Sequence, residues 1–372
     1  MREYVEIGIG RNARRAYGLS QVAIVPSRRT RDIDDVNLSW QIDAFTFEIP
    51  MVAHPSDATV SPATAGLIGQ LGGLAVLNAE GIWTRYTDAG ERLQKWASSE
   101  QDTAGLQELY TAPVQPELIG QRITEMREAG AGVVAVRVSP QHTEALAPVA
   151  VAAGVDLLVI QGTIVSAEHV SKNGEELNLK QFIADLDVPV VVGGCADYQT
   201  ALHLMRTGAA GVIVGMGAGS YASNDDVLGI RVPMATAIAD AAAARRDYLD
   251  ETGGRYVHVI ADGGVSTSGD IARAIACGAD AVMVGEPLAE AAQAPGLGAW
   301  WLSSASHPKL PRGHIIAPDM DWPQADMETV LYGPASDGWG TTNLFGALAR
   351  AMGKAGYRDV KEFQKVDLVL DA

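Results

Sequence analysis

Cysteine is almost missing: the 372 residues include only two, Cys195 and Cys277, far apart and in no metal-ligand spacing. Neither a disulfide framework nor a zinc site is supported by such a pair. Basic residues are outnumbered, 28 Lys and Arg against 45 Asp and Glu, for a formal charge of −17. A broad basic face for nucleic acid or an anionic membrane is therefore lacking, and an anionic ligand needs a local pocket. Long apolar runs are lacking too, since each is cut by Gly, Asp or Pro, and Met1-Arg2-Glu3-Tyr4 leads into no secretory-type stretch. The expectation is no membrane span and a reducing, cytoplasmic setting.

What is present is a packed-protein composition, 47% apolar with 40 glycines. Short Val- and Ile-rich runs recur at 49–53, 73–77, 132–138, 155–160, 188–192, 210–214, 256–261 and 280–284. Runs of this kind are parallel strands buried on both faces. Between them, Ser61–Leu71, Pro116–Ala129, Thr143–Ala153, Tyr198–Thr207, Pro233–Tyr248 and Ser268–Cys277 read as helices, several with start and stop signals. The segment Gly208-Ala209-Ala210-Gly211-Val212-Ile213-Val214-Gly215 is echoed by Gly278-Ala279-Asp280-Ala281-Val282-Met283-Val284-Gly285. An open doubly wound sheet gives similar local patterns, but eight strands favour closure into an α/β, (β/α)8 TIM barrel, which fills such a length as a single domain. Residues 1–48 lack a βα period and are expected to cover the barrel bottom, 97–115 only to bridge two elements, and 296–342 to form an irregular excursion after the eighth strand. A last helix is expected at Leu344–Ala355.

A parallel barrel presents its site where the strands end, and three glycine-bearing loops fall there: Gly215 to Ser220, Asp262-Gly263-Gly264 and Gly285-Glu286-Pro287. Glycines let backbone amides approach a phosphate. A Rossmann reading is poor, because about a dozen residues separate the first glycines from the helix at Pro233. The bland readings are a turn at Asp262 and, at Glu286, an acid at a helix N-terminus with Pro287 as first helical residue. Cys195 falls on the ligand face after the fifth strand, and Cys277 on a helix. The seven histidines, including His54, His258, His307 and His314, form no visible cluster; His54, just after the first strand, faces the mouth and is the one worth testing.

The stretch Val214 to Asp225, with Gly229-Ile230-Arg231-Val232-Pro233, resembles the catalytic loop of the IMP dehydrogenase and GMP reductase family. Ile49-Pro50-Met51-Val52, Ala261 to Gly264, Gly278 to Gly285 and Asn343 to Gly353 are similar too, so the likeness spans nearly the whole chain. No CBS insertion fits between the second and third strands, as in the CBS-less subfamily. The resemblance implies a purine nucleotide (IMP, GMP or XMP) as ligand, NAD(P) as cofactor, and a thiolate that attacks purine C2. It also implies phosphate binding at Ser220, Gly263, Gly264 and Gly285, ribose binding at Asp262, and K+ on the backbone of Gly215, Gly217 and Ala222. A homotetramer, or a partnership with the catalytic family enzyme, is a further implication.

Several positions depart from the family pattern. Ala222 stands at the nucleophile, with Ser223, Asn224 and Asp225 beside it. Gln161 replaces the cofactor-side Asp, and Glu286 replaces a hydroxyl residue at the phosphate. The Arg-Tyr pairs Arg85-Tyr86 and Arg255-Tyr256 do not lie on a flap after the eighth strand. Three readings follow: a non-catalytic homologue with a degenerate nucleotide site, an NAD(P) oxidoreductase with an unusual nucleophile, and an FMN barrel.

Overall fold

A computed structural model of the chain describes residues 4–169, 177–218, 223–307, 309, 313–316, 324–335, 338, 340 and 342–371. The chain opens with a hairpin, β1 (Tyr4–Gly8) and β2 (Arg11–Arg14), followed by β3 (Val22–Ile24) and a second hairpin, β4 (Trp40–Ile42) and β5 (Phe45–Phe47). Eight strands then close a parallel barrel: β6 (Met51–Ala53), β7 (Leu74–Asn78), β8 (Ala135–Val138), β9 (Leu157–Gln161), β10 (Val190–Cys195), β11 (Gly211–Ala218), β12 (His258–Gly263) and β13 (Ala281–Val284). All eight strands expected from the Val and Ile runs are present. The fold is a (β/α)8 barrel.

Helices cover the strands: α1 (Pro62–Gln70), α2 (Ala89–Ala97), α3 (Thr103–Leu109), α4 (Pro116–Glu128), α5 (Thr143–Ala152), α6 (Leu179–Ala184), α7 (Tyr198–Arg206), α8 (Asn224–Leu228), α9 (Met234–Thr252) and α10 (Ser268–Ala276). Their starts follow capping chemistry. Ser61 accepts from the Thr64 amide, Asp197 from those of Gln199 and Thr200, and Thr267 from that of Asp270. After the barrel come α11 (Glu286–Ala289), α12 (Met327–Tyr332), α13 (Leu344–Ala355), α14 (Val360–Phe363) and β14 (Leu368–Leu370), which pairs with β3. The span 296–342 is thus not irregular throughout, since α12 lies in it.

Strand periodicity divides the core into two layers. Leu157 and Val159 of β9 join Val52, Val76, Ala135, Val191, Ile213, Ile260 and Met283 inside the barrel, while Leu158 and Ile160 face the helices. Trp40, Ile42 and Phe47 of the β4–β5 hairpin plug the interior cluster, with Ile42 reaching Gly211 at the start of β11. Each of these large side chains contributes roughly 1.5–3 kcal/mol by leaving water. With that end filled, the strand C-termini form the open end. Among the described residues, no helix is long and apolar enough to cross a membrane.

The segment 97–115 does more than bridge. Leu106 of α3 and Tyr110 pack with Trp96, Trp300 and Trp301 in a third cluster, so α2 and α3 hold the chain that follows β13. Trp301 Nε1 donates to the Tyr110 hydroxyl at 3.1 Å.

Candidate nucleotide site at the barrel mouth

The alternation that fills the barrel also dictates its rim. Two residues beyond the last interior apolar side chain of every barrel strand but β10 stand His54, Asn78, Arg137, Gln161, Gly215, Asp262 and Gly285, and all seven line one cavity of about 740 Å³. The topmost inward layer is therefore polar or glycine.

On the β11 to β13 side the lining is spare. Gly215 has φ of +145°, and a Cβ there would lie 1.7 Å from the Asp262 carbonyl oxygen, so only glycine allows this approach. Gly263 and Gly264 also have positive φ, +114° and +67°. The glycine segment is not wholly a loop: after a register shift β11 continues to Ala218, which pairs with Gly263. Asn224, buried at the start of α8, donates to the Met216 carbonyl at 2.8 Å, and Ser223 lines the cavity beside it. Gly217 lies within β11, whereas Ser220 and Ala222 fall outside the described residues. The expected K+ carbonyls are thus described only in part.

Asp262 is half-buried, and Gln161 Nε2 donates to its Oδ2 at 2.8 Å. Burial pushes the Asp262 carboxyl up to about 7, against the opposing effect of that amide. The two residues expected on separate ligands therefore touch. Glu286 opens α11, with Pro287 second rather than first, and it also lines the cavity. The helix-terminus reading of Glu286 holds, with Pro287 one position later than expected. Its charge helps burial to push the Glu290 carboxyl up. The Trp300 indole packs on Gly285, with Cη2 2.2 Å from where a Cβ would sit, and meets His54 edge-on at 5.2 Å between centroids. His54 Nδ1 is buried without a partner among the described residues, and burial with Arg137 nearby lowers its pKa to about 3.

On the β7 to β9 side the rim is crowded with charge. Arg137 reaches Glu80 Oε2 and Asn78 Oδ1 at 3.3 Å, and donates to the Gln161 carbonyl at 2.7 Å. Both members of the Arg137–Glu80 pair are 13% exposed. Glu80 also accepts from the Ser139 amide and hydroxyl and meets His142 Nδ1. Burial opposes its charge, yet Arg137 and these hydrogen bonds hold the carboxyl below its usual range. Beneath lies Asp57, which accepts from the Ile82 amide at 3.0 Å and from the Tyr110 hydroxyl. Burial pushes Asp57 up to about 6, and its Oδ1 has no partner among the described residues.

Cys195 is not on the ligand face. The register shift between Gly193 and Cys195 turns its side chain into the outer core, where Sγ donates to the Ile213 carbonyl at 3.5 Å. Burial, with Asp197 adding, pushes this thiol up to about 12; burial also pushes Cys277, which ends α10 against the core, up to about 11. Among the described residues no group of three His, Cys, Asp or Glu could hold a metal ion.

The family model of the IMP dehydrogenase / GMP reductase domain matches residues 16–314. The chain belongs to this family.

Similar chains include a Mycobacterium tuberculosis protein described as an uncharacterized oxidoreductase, 59% identical over 98% of this chain and 99% of that protein. The inosine-5'-monophosphate dehydrogenase of Haemophilus influenzae is 42% identical over 45% of this chain and 31% of that enzyme. A crystal structure of an IMP dehydrogenase/GMP reductase-like protein from Corynebacterium glutamicum superposes with a TM-score of 0.92. That chain is 52% identical, and the match covers 99% of this chain and 98% of that one. Against the IMP dehydrogenase / GMP reductase pattern, sequence reasoning located the glycines, Gln161, Asp262, Glu286 and His54 at the mouth. It passed over Glu80, Arg137, Ser139, His142, Tyr110 and His307, which line the same cavity. Arg137 was detectable as the last inward position of its strand.

Proposed function

We propose that this member of the IMP dehydrogenase / GMP reductase family is a non-catalytic homologue that binds a purine nucleoside monophosphate weakly at the β11 to β13 rim. It performs no thiolate-dependent hydride transfer. What carries the reading is the resemblance, which puts Ala222 at the nucleophile position, together with the two cysteines: Cys195 is buried in the core and Cys277 half-buried against it, and burial pushes both thiols up. Gly263, Gly264 and Gly285 supply close backbone approach for a phosphate, while Asp262 offers a carboxylate to ribose hydroxyls. Glu286 at the same rim weakens the phosphate's hold.

On the cofactor side, Gln161 is engaged with Asp262, and the Glu80–Arg137 pair crowds the rim beside it. NAD(P), when bound, supplies hydride chemistry; these residues offer it a neutral amide and an already paired cation. A second reading, an active NAD(P)-dependent oxidoreductase with an unusual nucleophile, is favoured by the description of the mycobacterial relative.

The two are separated by following nicotinamide absorbance with IMP or GMP, alongside calorimetry with IMP, GMP, XMP, NAD and NADPH. The expected result is heat from a monophosphate and no turnover above buffer. Robust turnover overturns the proposal.

A further inference from the structure

A side-chain hydrogen bond crosses the barrel mouth from β9 to β12, where Gln161 Nε2 donates to Asp262 Oδ2. Gln161 has little freedom to leave it. The residue is buried, its carbonyl accepts from Arg137, and the Gly162 amide after it donates to the Gly193 carbonyl at 2.9 Å. Nε2 also meets Met283 Sδ at 3.6 Å. Asp262 is thereby left with two unlike oxygens. Oδ2 is held by the amide, while Oδ1 accepts no hydrogen bond among the described residues. The amide also counters the burial that raises this carboxyl, so it favours the ionised form.

A ribose presents two neighbouring hydroxyls, and an ionised carboxylate can take such a pair by giving one oxygen to each. The 3′ carbon adjoins the carbon that carries the phosphate arm, and the 2′ carbon is one step further round the ring. A nucleotide with its phosphate at Gly263, Gly264 and Gly285 therefore turns its 2′ edge toward β9, where Gln161 already holds Oδ2, and its 3′ hydroxyl to Oδ1. A buried acceptor rejects a ligand that lacks a hydroxyl because the acceptor is then left unpaired. Oδ2 is paired with or without the 2′ hydroxyl.

We propose that Gln161 makes this site blind to the 2′ hydroxyl, so that it takes purine 2′-deoxyribonucleoside monophosphates as readily as the ribonucleoside monophosphates. Gln161 is a positioning residue here, acting through Asp262. The specificity rests on nucleotide binding at the β11 to β13 rim.

Calorimetry on the purified full chain with IMP, 2′-deoxy-IMP and 3′-deoxy-IMP tests this, at about pH 9 so that Asp262 is ionised. Wild type is expected to bind IMP and 2′-deoxy-IMP within about threefold, and 3′-deoxy-IMP about tenfold more weakly, since Oδ1 then loses its one partner. Gln161→Met, similar in length and without a donor, is expected to favour IMP over 2′-deoxy-IMP about tenfold with an unchanged thermal melt. A wild type that favours IMP over 2′-deoxy-IMP tenfold, a Gln161→Met variant that takes both alike, or indifference to the 3′ hydroxyl overturns the proposal and leaves nucleotide binding standing. Heat from none of the three overturns nucleotide binding itself, and the proposal with it.

Discussion

The two halves of the barrel mouth solve opposite problems. On the β11 to β13 side, glycines leave room, and Asp262 accepts a hydrogen bond from Gln161 across the mouth. On the β7 to β9 side, Arg137, Glu80, Ser139 and His142 satisfy one another across the ends of β7 and β8. The first half leaves open space at the mouth, and the second is filled by its own pairs.

Breaking the filled half gives the largest expected effect. Arg137→Ala leaves Glu80 charged and buried, and the loss is about 3–5 kcal/mol, read as a lower urea midpoint. Replacing both partners, Glu80→Leu with Arg137→Met, is expected to recover most of it. If the double variant is no better than the single, the pair is not the unit that matters.

The open half responds to pH. Asp262 has a folded value of about 7, above the roughly 3.9 of an unfolded aspartate, so the fold holds its proton more tightly than the unfolded chain. Its contribution favours folding at acid pH and is lost as pH rises from about 4 to 7. Asp262→Asn is therefore expected to exceed wild type by about 2 kcal/mol at pH 8, the half-exposed site discounting the full shift. The difference should vanish below pH 4. Denaturant midpoints at pH 4, 6 and 8 decide it, and a flat difference would sink the assignment.

The smallest effect sharpens the contrast within the open half. Glu286→Ser removes a carboxylate from the phosphate side, and IMP affinity is expected to rise about tenfold, or ~1.4 kcal/mol. Unchanged calorimetric affinity would place the Glu286 charge away from the phosphate.

Much of the barrel was legible because it is written locally. Eight apolar runs, capped helices and the repeated Gly-Ala strand entry are features of neighbouring residues, and strand β13 from Ala281 to Val284 matches its expected run at 280–284 almost to the residue. The open half was legible for the same reason, as glycines cluster in sequence where backbone must approach backbone. The filled half was not. Glu80 and His142 meet from 62 positions apart, and Glu80 and Arg137 from 57, a pairing no spacing rule reports. Cys195 went astray through a single register shift, which reverses the facing of every residue beyond it.

Trp300 gives the molecule an optical voice. Its indole rests on Gly285 and against His54, and among the described residues it is the one tryptophan lining the cavity. A purine monophosphate bound as proposed at that glycine would change the polarity around the ring, and the emission of this residue should then follow occupancy without any added dye. Trp300→Phe would silence that signal while leaving the other tryptophans to report on folding alone.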